Sequence, residues 1–279
     1  MMLSRGCPFN CAYCGAAKIM GERIRYRSPT NVLAEIDLLE RDYGIRNFTF
    51  VVDNFTANRR QALALFEALA ARPRRIAFTF PNGVRPATLV VELLKAMERA
   101  GCYSLSLWIE SGSDQTLERM RKKQTVASVA QTVELIRSNT SIRITGFFIL
   151  GYPGETIADV CNTIKFAARL PIHHPDFCVF AQLYGSPVYK ELLDQGLILV
   201  SGLTHGEMNF DRPMALPGLP PRKIILLHQY AYLRFYLKPW RIWNLLKEAR
   251  SPGNFWVIVR RVIKLFGWRP QPSRDSKSN

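Results

Sequence analysis

Residues 4–15 read Ser4-Arg5-Gly6-Cys7-Pro8-Phe9-Asn10-Cys11-Ala12-Tyr13-Cys14-Gly15, three cysteines spaced C-x3-C-x2-C on one short loop. Gly6 and Gly15 flank the run, so the backbone can wrap closely around something compact. Soft thiolates select iron–sulfur clusters or zinc over hard cations. A four-iron cluster takes four ligands and this loop offers three, which leaves one iron open to a small molecule.

Zinc is the competing occupant. A structural zinc site takes four protein ligands, commonly as two spaced pairs of Cys and His. Cys102, Cys161 and Cys178 are instead scattered singly, and His173, His174, His205 and His228 all lie far from the loop. The isolated cysteines are expected to be small buried apolar residues. No role is assigned to the histidines. A disulfide framework is not expected in a chain of 279 residues with no signal peptide read before its cysteines. Free thiols imply a reducing, cytoplasmic setting.

The chain is 48% hydrophobic, enough for one large core with appendages. No stretch reaches the roughly 18 apolar residues of a spanning helix, so none is expected. The net charge of +16 is unevenly spread: residues 221–279 hold 13 Lys and Arg against Glu248 and Asp275, a net +11. The preceding 220 residues carry only +5.

Past the cysteine loop, strand and helix alternate. Strands are expected at 47–52, 75–80, 104–109, 142–149 and 176–183, with helices at 30–43, 59–71, 88–100, 114–121 and 126–138, another ending near Leu170 and a last one ending near Gln195. Residues 2–4 are expected to be the stub of a sixth strand. Polar or Gly-rich clusters follow the strands: Asp53-Asn54, Pro81-Asn82-Gly83, Glu110-Ser111-Gly112-Ser113 and Gly151-Tyr152-Pro153-Gly154-Glu155. Repeated βα units of this kind build a parallel sheet, either an α/β barrel or a doubly wound fold.

The C-x3-C-x2-C loop with Tyr13 before its last cysteine resembles the signature of the radical S-adenosylmethionine (SAM) superfamily. The run Lys18-Ile19-Met20-Gly21-Glu22-Arg23-Ile24-Arg25-Tyr26-Arg27-Ser28-Pro29 is similar to the branch that usually carries an N-terminal cobalamin-binding domain. The likeness extends over residues 4–199 and more loosely beyond. It implies an α/β fold, a partial (β/α)6 TIM-like barrel over residues 1–200. With five residues before Gly6, the first strand is expected to be truncated. A mis-assigned start, a split gene or a lost cobalamin domain would each explain that.

The resemblance further implies that Cys7, Cys11 and Cys14 ligate a [4Fe–4S] cluster and that its open iron binds SAM. An electron from a donor such as flavodoxin or ferredoxin then yields a 5′-deoxyadenosyl radical. Cobalamin would come through a missing or separate domain. Asp53 matches the acceptor for the SAM ammonium, with Val52 where relatives often have a second acid; a capping role is the alternative. Glu110 ends an apolar strand, where a carboxylate is costly unless paired, and matches a SAM contact; a structural ion pair is the alternative. Lys122 matches a SAM-carboxylate contact, against the solvated face expected of Arg121-Lys122-Lys123. Gly151 matches an adenine-side position, and Tyr13 a residue that stacks or bonds near the adenine. Asn82 and Arg85 meet SAM or substrate, or are turn residues. No catalytic residue is assigned.

The C-terminal extension, residues 201–269, is expected to carry amphipathic basic helices from Arg222 onward and over 255–266, and residues 270–279 to be disordered. The helices pack on the barrel with a solvated basic face, meet an anionic membrane surface, or dock a partner domain. Nucleic acid is the least favoured partner. The expected function is methylation, cyclisation or rearrangement of a small or lipid-like substrate, in the cytoplasm or at the inner membrane face. The alternatives are a tRNA methylthiotransferase-like enzyme and a truncated, non-catalytic Fe–S-binding fragment.

Overall fold

Two short strands frame the cysteine loop: β1 (Ser4–Arg5) pairs antiparallel with β2 (Arg25–Tyr26), with helix α1 (Ala16–Met20) between them. The structure, a computed structural model, describes residues 1–198 and 213–248. The predicted segments 255–266 and 270–279 lie outside those residues.

Helix α2 (Pro29–Tyr43) starts where the Ser28 hydroxyl accepts from Asn31 N and Pro29 takes the first turn. Beyond it come five parallel strands, β3 (Asn47–Thr49), β4 (Ala77–Val84), β5 (Cys102–Glu110), β6 (Arg143–Leu150) and β7 (His174–Val179), paired in that order. Their crossovers hold α3 (Arg59–Ala70), α4 (Val91–Ala100), α5 (Asp114–Arg119), α6 (Val126–Asn139) and α7 (Ile157–Arg169). A doubly wound sheet reverses its strand order at a switch point. This one runs sequentially, so the sheet curls as a half-barrel with its helices outside.

The place of a sixth strand is taken by the chain's first residues. Met2 forms a parallel bridge to Val51, and Val51 N donates to Met1 O at 2.8 Å. Past Thr49 the chain keeps one bond to β4, from Phe50 N to Thr79 O at 2.9 Å, and then pairs with Met2 instead, so β3 is shorter than expected. β4 runs on to Val84 because its register slips between Phe80 and Val84, absorbing Pro81, which has no N–H to donate. β7 stops at Val179, opposite Leu150, the last residue of β6.

The two faces of the sheet differ. Phe78, Phe80, Leu105, Leu107, Ile144, Phe148, Phe177 and Val179 are buried against Ile36, Phe66, Leu93, Met97, Val133 and Ile164 of the helices. Phe50, Phe66, Phe78 and Phe80 touch ring to ring at 4.7–6.1 Å, and each fully buried phenylalanine contributes about 1.5–3 kcal/mol. The other face is half-open and carries rows of polar and aromatic side chains in register. Thr79 lies opposite Ser104 and Arg143, Ser106 opposite Thr145 and His174, and Trp108 opposite Phe147 and Asp176.

Helix α8 (Pro187–Asp194) closes the core region, and α9 (Pro221–Tyr236) and α10 (Pro239–Glu248) follow. Edge strand β7 would leave its backbone unpaired on one side. Helix α9 fills that gap with side chains: Phe177 N donates to Tyr232 Oη at 3.1 Å, and His228 Nε2 meets Phe177 O at 2.8 Å. Lys238 and Arg241 then bond the carbonyls of Ala168 and Leu170 at the C-terminal end of α7. One face of α9 therefore packs on the half-barrel. Cys102 is buried as expected, whereas Cys161 and Cys178 are half-exposed: Cys161 lies outside the buried stripe of α7, and Cys178 points to the open face. Among the described residues, no helix is long and apolar enough to cross a membrane.

Candidate active site at the mouth of the half-barrel

The cysteine loop is held from both sides. Cys7 N donates to Gly21 O, Ala12 N to Met120 O and Val188 N to Ala12 O, at 2.8–3.0 Å. Gly6 has φ +104°, and a Cβ there would lie 2.4 Å from Arg23 O, so only glycine fits. Its N–H donates to Asp53 Oδ2 at 3.0 Å, which ties the segment after β3 to the residue before Cys7.

Cys7 and Cys11 are buried, Cys14 is half-buried, and all are free thiols. Burial pushes the Cys7 and Cys14 thiols up from their ordinary values, so metal must displace their protons. Among the described residues, no three His, Cys, Asp or Glu side chains converge on one ion. Thiolates that each hold a different iron of a cubane need no common point. Three soft donors on one braced loop, with a buried arginine beside them, fit a [4Fe–4S] cluster.

Beside the loop lies a buried polar group assembled from distant parts of the chain. Lys122 Nζ donates to Glu110 Oε1 and to Tyr13 Oη, each at 2.7 Å. Tyr13 Oη donates to the same Glu110 oxygen at 2.7 Å. Burial, and then the Glu110 charge, raises the Tyr13 phenol well above its usual value, so it stays a donor. Glu110, Arg121 and Lys123 have φ of +70°, +53° and +50°, the non-glycine positive values among the described residues. Each costs of order 1–3 kcal/mol, and such strain gathers at functional sites.

The solvated-face reading of Arg121-Lys122-Lys123 is corrected for its middle residue. Arg121 and Lys123 are exposed, while Lys122 is fully buried, because the strained turns on either side direct it inward. For Glu110, the ion pair of the alternative reading is present, and its partner is Lys122.

Gly151, with φ +79°, and Tyr152 both donate their N–H groups to Glu155 Oε2 at 2.9 Å. The buried carboxylate closes the turn after β6, and desolvation pushes it up to about 7. A Cβ on Gly151 would face Ile224 of α9, so the close approach on that side is made by this helix.

Tyr13, Glu110 and Lys122 are thus brought into direct contact, Asp53 is fixed beside Cys7, and Gly151 stands apart at the next strand end. Arg85 comes into direct contact with the cysteine loop, which no turn signal could reveal. Trp108 and Gln124 were not singled out by sequence. Trp108 Nε1 donates to Asn82 O at 2.6 Å, and its ring lies 5.2 Å from Lys122 Nζ. Gln124 Nε2 bonds the carbonyls of Trp108 and Ile109. The alternation Ser104-Leu105-Ser106-Leu107-Trp108-Ile109 was the available signal that Trp108 faces the open side.

A βα half-barrel with a three-thiol loop at its mouth defines an iron–sulfur enzyme of the TIM-like type. The chain belongs to the radical SAM superfamily, whose model matches residues 1–167. That family consists of enzymes using SAM and a [4Fe–4S] cluster. Similar curated proteins include an uncharacterised methyltransferase of Pyrococcus horikoshii, 30% identical over 95% of this chain and 56% of its own length. An anaerobic magnesium-protoporphyrin IX monomethyl ester cyclase of Cereibacter sphaeroides is 28% identical over 86% of this chain and 40% of its own. A tRNA-2-methylthio-N(6)-dimethylallyladenosine synthase of Acidithiobacillus ferrooxidans is 32% identical over 67% and 44%. The cobalamin-dependent SAM radical enzyme OxsB, solved with aqua-cobalamin and SAM, superposes with a TM-score of 0.68 at 16% identity, over 95% of this chain and 46% of that one. The chain spans about half the length of the relatives it matches.

Proposed function

We propose that this chain is the radical SAM core of a cobalamin-associated enzyme that methylates, cyclises or rearranges a small or lipid-like substrate. The observation that carries the reading is the buried Tyr13–Glu110–Lys122 group beside Cys7, Cys11 and Cys14. Three thiolates hold the cluster, which with SAM supplies the 5′-deoxyadenosyl radical. Asp53 accepts from the SAM ammonium, Glu110 and Lys122 bind its polar ends, and Tyr13 and Gly151 border the adenine. The open sheet face, with Thr145, Phe147 and Trp108, receives the substrate. Cobalamin enters through a further domain, as the relatedness to methyltransferase and cyclase proteins of twice this length suggests. A low-potential flavodoxin or ferredoxin delivers the electron.

The test is anaerobic reconstitution with iron and sulfide, then reduction in the presence of SAM and an assay for 5′-deoxyadenosine. Iron near four per chain and deoxyadenosine from the wild type, absent in Cys14→Ala, is the expected outcome. A folded chain that takes up no iron overturns the reading. The methylthiolation alternative draws on the tRNA-modifying relative, and methylthiolated product from a hypomodified tRNA would establish it.

The basic extension further supports peripheral contact with an anionic membrane face. On α9, Leu226, Tyr230 and Leu233, with Leu237 just past its end, form an exposed stripe bracketed by Arg222, Lys223 and Arg234. Sedimentation with phosphatidylglycerol vesicles but not with phosphatidylcholine vesicles is expected. Equal binding to both, or to neither, overturns it.

A further inference from the structure

Arg85 stands at the end of β4, 2% exposed, with its guanidinium carbon 4.1 Å above the Phe9 ring. Its Nη1 lies 3.9 Å from Cys11 Sγ. Both neighbours belong to the cysteine loop. Arginine cannot shed its charge, and a buried cation is costly unless an anion compensates it. None of the ion pairs among the described residues includes Arg85. What faces it instead is the thiol group of the cluster site, and thiolates bearing iron would supply the missing negative charge.

We infer that Arg85 is the counter-ion of the cluster and holds its reduction potential up. Three thiolates on a [4Fe–4S] core of charge 2+ sum to −1. One electron from a low-potential protein donor, itself oxidised by one electron, takes the sum to −2 with no proton moved. A cation at this distance interacts with both states, and more strongly with the reduced one. Net charge and hydrogen bonds to sulfur are the levers that set such potentials. The guanidinium supplies both, and the Phe9 ring holds it in place through its π face.

The inference rests on the cluster reading, and iron content separates the two. Wild type, Arg85→Gln and Arg85→Lys would be reconstituted and titrated potentiometrically, following the electron paramagnetic resonance signal of the reduced cluster. With iron content unchanged, Arg85→Gln should show about tenfold less reduced cluster at a fixed poise, a shift of 59 mV to lower potential for one electron. Arg85→Lys should fall between Arg85→Gln and the wild type. An unchanged potential in Arg85→Gln with weakened SAM binding would make Arg85 a ligand clamp and overturn the inference. An unchanged potential with only a lower unfolding temperature would make it a packing residue and overturn it equally. If Arg85→Gln holds no iron while Arg85→Lys does, charge compensation is supported. If neither holds iron while the wild type does, the guanidinium serves packing and the inference fails.

Discussion

Lys122 Nζ and Glu110 Oε1 are 2.7 Å apart in a pair that is almost wholly buried, reached from opposite ends of helix α5. Removing one partner leaves an uncompensated charge in the interior. Lys122→Met or Glu110→Gln is expected to cost roughly 3–5 kcal/mol, and the double replacement less than the sum. Urea unfolding of the cluster-free chain measures both. Single variants as stable as the wild type would show that water reaches the pair.

Glu155 gives the fold a pH dependence. Burial raises its folded value to about 7, with Asp159 adding to the rise, while the unfolded carboxyl titrates near its model value of 4.5. The folded state therefore binds the extra proton, and stability from this group is full below about 4.5 and declines as pH rises to 7. The decline is worth about 3 kcal/mol. Glu155→Gln should flatten that part of the stability-against-pH curve, as followed by thermal unfolding across the range. A wild-type curve that rises with pH there would contradict the burial argument.

Tyr232 protects the edge of the sheet. Tyr232→Phe removes the acceptor for Phe177 N and should cost about 1–3 kcal/mol. Hydrogen exchange at the Phe177 amide should speed up more than at the β5 and β6 amides. Uniform acceleration would instead signal a global effect.

Arg241 fastens the C-terminal helices. Its guanidinium donates to the carbonyls of Phe235, Ala168 and Leu170 at 2.8–3.1 Å and lies over the Phe235 ring. Desolvation lowers it to about 10, still charged at neutral pH. Arg241→Ala should destabilise by about 2–3 kcal/mol, with Arg241→Lys recovering part. Calorimetry of the variants decides this; a neutral alanine variant would show that α10 does not brace α7.

By itself the sequence determined the order of βα units and the presence of a three-thiol loop. Both are local: strand and helix periods are written in neighbouring residues, and three thiols spaced within eight residues need no tertiary fold to be recognised. The polar clusters after each strand also located the mouth of the site. Which members meet there was a different matter. Lys122 sat in a cationic run that reads as solvated, and its burial depends on contacts with Tyr13 and Glu110, 109 and 12 residues away. Arg85 found Cys11 across 74 residues, and His228 and Tyr232 found the β7 edge across more than 50. Such pairings are chosen by how the sheet curls and which edge it leaves bare. Only the tertiary structure decides that, because the energy of a buried charge or an unpaired strand edge depends on what is folded against it.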